Sequence, residues 1–175
     1  MEPYQIILLI LVFAAFFYLA VVVYVVGHMF EFKQKTKKRL KALNVILLER
    51  ADILADMQAL YEKGGVIFTD AEAKAGQKLL GLQFVAREEE VRLSIATVKE
   101  ATTCFRFIAQ SGRYKGLSGE RLKSDLDVLD DLERNFRTSS LLYNADVTGY
   151  NYWITVPTVA WIGWLLGHRK KELIS

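Results

Sequence analysis

The chain has 175 residues, 52% hydrophobic and 25% charged, with 23 Lys+Arg against 20 Asp+Glu for a net charge of +3. This length accommodates one small core beside an anchor rather than two independent domains, and so slight a charge excess gives no case for a nucleic-acid partner. Two prolines exclude a Pro-rich disordered tail, and the single cysteine, Cys104, excludes an internal disulfide framework and a Cys-rich zinc site.

No Asp, Glu, Lys or Arg occurs from Tyr4 to Phe30. As a helix this run extends about 40 Å, more than the ~30 Å hydrocarbon core of a bilayer. A cleaved signal peptide would begin with a basic region and end at a small-residue site. Here Met1–Tyr4 carries only Glu2, and the run is followed by Glu31-Phe32-Lys33. The expectation is a retained transmembrane helix over residues 4–30, with residues 1–3 external.

Residues 31–41 hold Lys33, Lys35, Lys37, Lys38, Arg39 and Lys41 against Glu31 alone, a local net of +5. Basic flanks are retained in the cytoplasm, so the N-terminus is expected outside and the remainder inside. The same six side chains are the expected contacts with anionic lipid headgroups, at about 1 kcal/mol each near the surface. His28, beside Phe30, reads as an interfacial histidine rather than part of an ion path.

Residues 42–175 are close to neutral, and within them 42–152 read as a cytoplasmic all-α bundle: the transmembrane helix continuing into an antiparallel bundle of three long helices, with a short C-terminal helix after it. The first seam is Leu40, Leu43, Leu47, Arg50, Leu54, Met57 and Tyr61, ended by Gly64-Gly65. The second helix should start at a capping box, Thr69 with Glu72, and run to about Gln110 through Leu80, Phe84, Val91, Val98, Phe105 and Ile108. The third follows the Gly-rich loop 111–119. Its seam is Leu122, Leu126, Leu129, Glu133, Phe136, Ser140, Tyr143, Val147 and Tyr150, spaced as heptads. Arg50 and Glu133 interrupt their seams at comparable heights, so a buried ion pair between them is expected.

Residues 153–175 form an apolar and then basic tail. Its run from Trp153 to Leu166 is too short to cross a bilayer as a helix. Trp161 and Trp164, one turn apart and followed by Arg169-Lys170-Lys171, suit either a helix in the headgroup layer or a short helix folded over the bundle. Neither His28 nor His168 sits in a metal-binding or nucleophile-activating arrangement, and Gly112–Gly116 lacks the setting of a phosphate loop. No enzyme, cofactor or metal is expected. The expected partners are the lipid bilayer, other membrane proteins and a second copy of the chain.

Glu133, Tyr143-Asn144, Val147, Tyr150-Asn151 and Val156-Pro157 resemble the closing signature of the LemA family, a Thr-Glu pair followed by Tyr-Asn-x-x-Val-x-x-Tyr-Asn and an aromatic-Pro. Leu48-Glu-Arg50-Ala-Asp52-Ile-Leu54-Ala-Asp-Met57 is similar to that family's first-helix motif. Ala55, Glu49 and Ser140 depart from it, which marks a divergent member. The resemblance implies a single-pass protein of a bacterial inner membrane without established catalysis, whose relatives are tied to membrane organisation and to membrane proteases. It implies a scaffold or adaptor at the cytoplasmic face. The alternative is a membrane-remodelling or anionic-lipid-sensing protein that uses the basic segment and the Trp-rich tail.

Overall fold

The computed structural model describes residues 2–82, 88–114, 119–157 and 160–174. The protein is all-α, with helices α1 (Pro3–Lys63), α2 (Asp70–Leu80), α3 (Glu88–Gln110), α4 (Gly119–Ile154) and α5 (Ala160–Leu165). α1 runs 61 residues without interruption. Its N-terminal part is long and apolar enough to cross a membrane, and none of its most apolar stretch is buried.

The chain divides into two compact units, Arg39–Leu142 and Met1–Lys38 with Tyr143–Ser175. The first unit is built on the expected seams. Leu40, Leu43, Leu47, Leu54, Met57 and Tyr61 are all buried on α1, as are Leu122, Leu129 and Phe136 on α4. Gly64-Gly65 ends α1 as expected. Gly65 takes φ +72°, while Gly65 N–H donates to Glu62 O at 3.1 Å and Val66 N–H to Tyr61 O at 3.0 Å. This closure needs a left-handed residue, which only glycine adopts without strain.

The capping box also forms. Glu72 N–H donates to Thr69 Oγ1, and Thr69 N–H donates to Glu72 Oε2 at 2.7 Å. The helix it starts is shorter than the sequence pattern suggests, because α2 stops at Leu80 and α3 begins at Glu88. Gly81 closes α2 with its N–H on Leu79 O. Leu80, expected in the seam, is 69% exposed while Leu79 is buried. The seam expected to run through position 80 belongs to a continuous helix, and once α2 stops, its own 3.6-residue period selects Ala75, Gly76 and Leu79 instead. Phe84 lies outside the described residues. Val91, Val98, Phe105 and Ile108 are fully buried on α3, and Tyr61 donates its hydroxyl proton to Phe105 O at 2.9 Å.

In the second unit the C-terminal end of α4 and α5 pack on α1. Val25, Met29, Tyr150 and Ile154 are buried together, with Phe32, Trp153 and Ile162 against them. Gly149 makes room for a side chain there. A Cβ at that position would lie 2.5 Å from the Phe32 ring, so the ring rests directly on the α4 backbone.

Candidate functional site

The buried seam of the Arg39–Leu142 unit holds one charge out of place. Arg50, 6% exposed, faces inward because its position in the α1 repeat leaves no other direction. Its Nη2 donates to Thr102 Oγ1 at 3.3 Å, and its guanidinium carbon lies 5.7 Å from the centre of the Phe136 ring. Its Nε is buried without an acceptor. The expected pair with Glu133 does not form. Arg106 of α3 takes Glu133 Oε2 at 3.1 Å and also binds Asp130, while Arg137 takes Glu133 Oε1 at 3.1 Å. Height along the two helices matched Arg50 to Glu133 correctly; a third helix supplied a closer partner.

Arg50 and Glu133 still line one cavity of about 370 Å³, with Lys99, Thr102, Thr103 and Arg106. Burial pulls the Arg50 guanidinium below its usual range, and the Glu133 charge opposes that shift. The cavity offers cationic and hydroxyl donors suited to an anion. Cys104 is half-buried, and burial together with Glu72 and Glu100 pushes its thiol up, so the thiolate that a nucleophile requires is disfavoured. Among the described residues, no group of three or more His, Cys, Asp or Glu side chains is placed to hold a metal ion.

Because Arg50 is desolvated without a carboxylate partner, Arg50→Met should leave the unfolding free energy within about 1 kcal/mol of the parent or raise it, whereas Arg50→Ala should lower it by about 2–4 kcal/mol through the void it leaves. Urea unfolding of the full chain in detergent measures both.

The Tyr-Asn repeat belongs to the other unit and acts as a clamp. Tyr143, Val147 and Tyr150 are buried. One position on, Asn144 donates Nδ2–H to Ile174 O at 2.7 Å and accepts Ile174 N–H at 2.8 Å. Asn151 makes the same pair of bonds to Lys171, at 2.7 and 2.8 Å. Seven residues of helix rise about 10 Å, as do three residues of extended chain, so two asparagines a heptad apart match two peptide groups three residues apart. The segment 171–174 therefore runs antiparallel to α4. His168 closes the same region. Its Nδ1 shares a 2.8 Å hydrogen bond with the Tyr150 hydroxyl, and burial and Lys33 both push its pKa down. No spacing or motif in the chain singles out His168 in this role or the bonds to the tail backbone.

Of the remaining motif residues, Asp52 and Pro157 are exposed. Lys33, Lys35, Lys37, Lys38, Arg39 and Lys41 are all exposed, and Lys35 pairs with Glu31 at 2.6 Å. Trp161 and Trp164 are 56% and 81% exposed. The tail helix lies on α1, through Ile162 and through a 3.3 Å bond from Trp161 Nε1 to the Tyr18 hydroxyl. Neither placement expected from the sequence, in the headgroup layer or over the bundle, included a contact at that level of the apolar run. Comparison of the chain with protein-family models, curated proteins and solved structures gives no match.

Proposed function

We propose that this chain is a single-span, membrane-anchored helical scaffold or adaptor, with its N-terminus outside and its bundle on the cytoplasmic face of a bacterial inner membrane. One observation carries the reading: a single continuous helix contains both the exposed apolar run and the buried seam Leu40–Tyr61. The cluster Lys33–Lys41 at the end of the apolar run supports the orientation. The resemblance to the LemA family supports a role in assembling membrane proteins, a membrane protease among them. A second reading, remodelling or sensing of anionic lipid, is favoured by the exposure of Trp161 and Trp164 beside Arg169-Lys170-Lys171.

Orientation is tested in a Cys104→Ser background. Gln5→Cys should react with an impermeant maleimide on intact cells, and Lys123→Cys only after lysis; the reverse order overturns the assignment. Scaffolding is tested by photo-crosslinkers on the exposed bundle face at Lys123 and Arg134. Crosslinks to a defined polypeptide in the native membrane are expected. Crosslinks confined to lipid would replace the scaffold reading with the second one.

A further inference from the structure

We propose that the end of α4 and α5 form a re-entrant hairpin that enters the bilayer beside α1, with Trp161, Trp164 and Leu165 against lipid acyl chains. The proposal rests on the anchor reading of α1.

Contacts along α1 give the depth. Gly149 lies against Phe32. Trp153 stacks on His28 at 4.9 Å and meets Tyr24 edge-on at 5.9 Å. Trp161 reaches the Tyr18 hydroxyl. Tyr18 lies 13 residues before Glu31, the first charge after the apolar run. That distance is about 20 Å of helix, past the middle of a ~30 Å hydrocarbon core. The chain then returns: Gly163 packs at Met29, and His168 meets Phe30 edge-on at 5.6 Å. It enters and leaves on the same side.

The chemistry of the hairpin suits that depth. No charged residue occurs from Trp153 to Leu166, and Arg169-Lys170-Lys171 follow where the chain returns to the level of Phe30. Several described backbone groups flanking the turn find partners within the hairpin, as a hydrocarbon medium demands. Thr155 donates its hydroxyl proton to the carbonyls of Asn151 and Tyr152 at 3.0 Å. Gly167, at φ +69°, closes α5 through its N–H on Trp164 O and through His168 N–H on Gly163 O. The Trp161 indole N–H has the Tyr18 oxygen. The asparagine clamp ties down the returning strand.

Acyl chains are the occupant because the α1 residues beside the hairpin, Tyr24 and Phe30 among them, are exposed and apolar, and one solvent bathes both surfaces. Trp164 at 81%, Leu165 at 69% and Leu166 at 47% would otherwise present a contiguous apolar patch to water. Since the hairpin turns back before crossing, it adds volume mainly to the leaflet it enters.

The test uses the full chain in phosphatidylcholine–phosphatidylglycerol vesicles, with Trp153→Phe and Trp164→Phe leaving Trp161 as the reporter. Lipids brominated near the middle of the acyl chain should quench it about twofold more than lipids brominated near the headgroup. Stronger quenching from the shallow position, or none from either, overturns the hairpin. In a Cys104→Ser background with all three tryptophans intact, Leu165→Cys should resist a water-soluble maleimide that labels Leu173→Cys. Equal labelling overturns the proposal independently of any disturbance in the tryptophan variant. Flotation with the vesicles after alkaline washing reads the anchor separately. A chain that floats but shows shallow quenching disproves the hairpin alone, and one that does not float disproves the anchor.

Discussion

Arg113→Met should lower the unfolding free energy of the bundle by about 3 kcal/mol and flatten part of its pH dependence. Glu72 is only 6% exposed, and three groups converge on its carboxylate. Arg113 donates Nη1–H to Oε1 at 2.7 Å and Nη2–H to Oε2 at 3.3 Å, while Thr69 N–H donates to Oε2. Arg113 also binds Ile67 O, which joins the end of α3 to the segment before α2. Removing the guanidinium leaves a buried carboxylate with only its capping bond, and an unpaired buried charge is far costlier than a lost surface pair.

Burial by itself would push the Glu72 carboxyl up, but the bonds from Arg113 and Thr69 prevail and hold it below the usual value of 4.5. An acid with a depressed folded-state pKa contributes stability above its unfolded value and loses it as pH falls through the folded one. The parent should therefore weaken progressively as pH falls through and below the usual carboxylate range. In Arg113→Met the two lowering effects of the guanidinium are gone, the depression shrinks, and less stability should be lost on acidification. Asp125, pushed up mainly by burial, contributes more stability on acidification in both proteins and so opposes Glu72 in the parent. Glu72→Gln is therefore the comparison that isolates Glu72. Urea unfolding across this range checks the prediction; parallel pH curves for parent and Arg113→Met would refute it.

Asn144→Ala combined with Asn151→Ala should release the C-terminal segment from α4 while leaving α4 helical. Four hydrogen bonds of 2.7–2.8 Å are lost. At about 1 kcal/mol each, and tenfold per 1.4 kcal/mol, tryptic cleavage at Arg169–Lys171 should accelerate by about two to three orders of magnitude. Either single change should have about the square root of that effect. Asn151→Asp keeps the acceptor for Lys171 N–H and loses the donor, so it should fall between the parent and Asn151→Ala. A double variant cleaved at the parental rate would mean that Tyr150, His168 and the packing of α5 hold the tail without the clamp.

The α1 and α4 seams were legible because each follows one period for many turns, with no proline or turn cluster competing. Thus Leu40 through Tyr61 and Leu122 through Tyr150 point inward much as their spacing requires, apart from the half-buried Leu126, Glu133 and Ser140. The break after Leu80 was not legible. Two glycines weaken a helix without saying where it stops, and here Gly81 closes it. Arg50 illustrates a different limit. Periodicity shows that a side chain points inward and at what height, but not which neighbouring helix fills the gap, and Arg106 took the carboxylate assigned to Arg50. The tail failed for a third reason. Hydropathy reports that Trp153–Leu166 avoids water, not which apolar surface it meets, and the contact with Tyr18 joins residues 143 positions apart.

The Tyr-Asn dipeptide, repeated after seven residues, serves two partners at once. Its tyrosines are buried while the asparagines one position on hold the returning strand. Substitution and insertion therefore meet different constraints in this region. Leu173, exposed between the two clamped peptide groups, is open to substitution. A single residue inserted between Asn144 and Asn151 would turn one asparagine about 100° from the other. A residue inserted between Lys171 and Ile174 would shift the second peptide group by about 3.3 Å, beyond hydrogen-bond reach. What is written into this part of the chain is a pair of commensurate lengths, more strictly than any set of side chains.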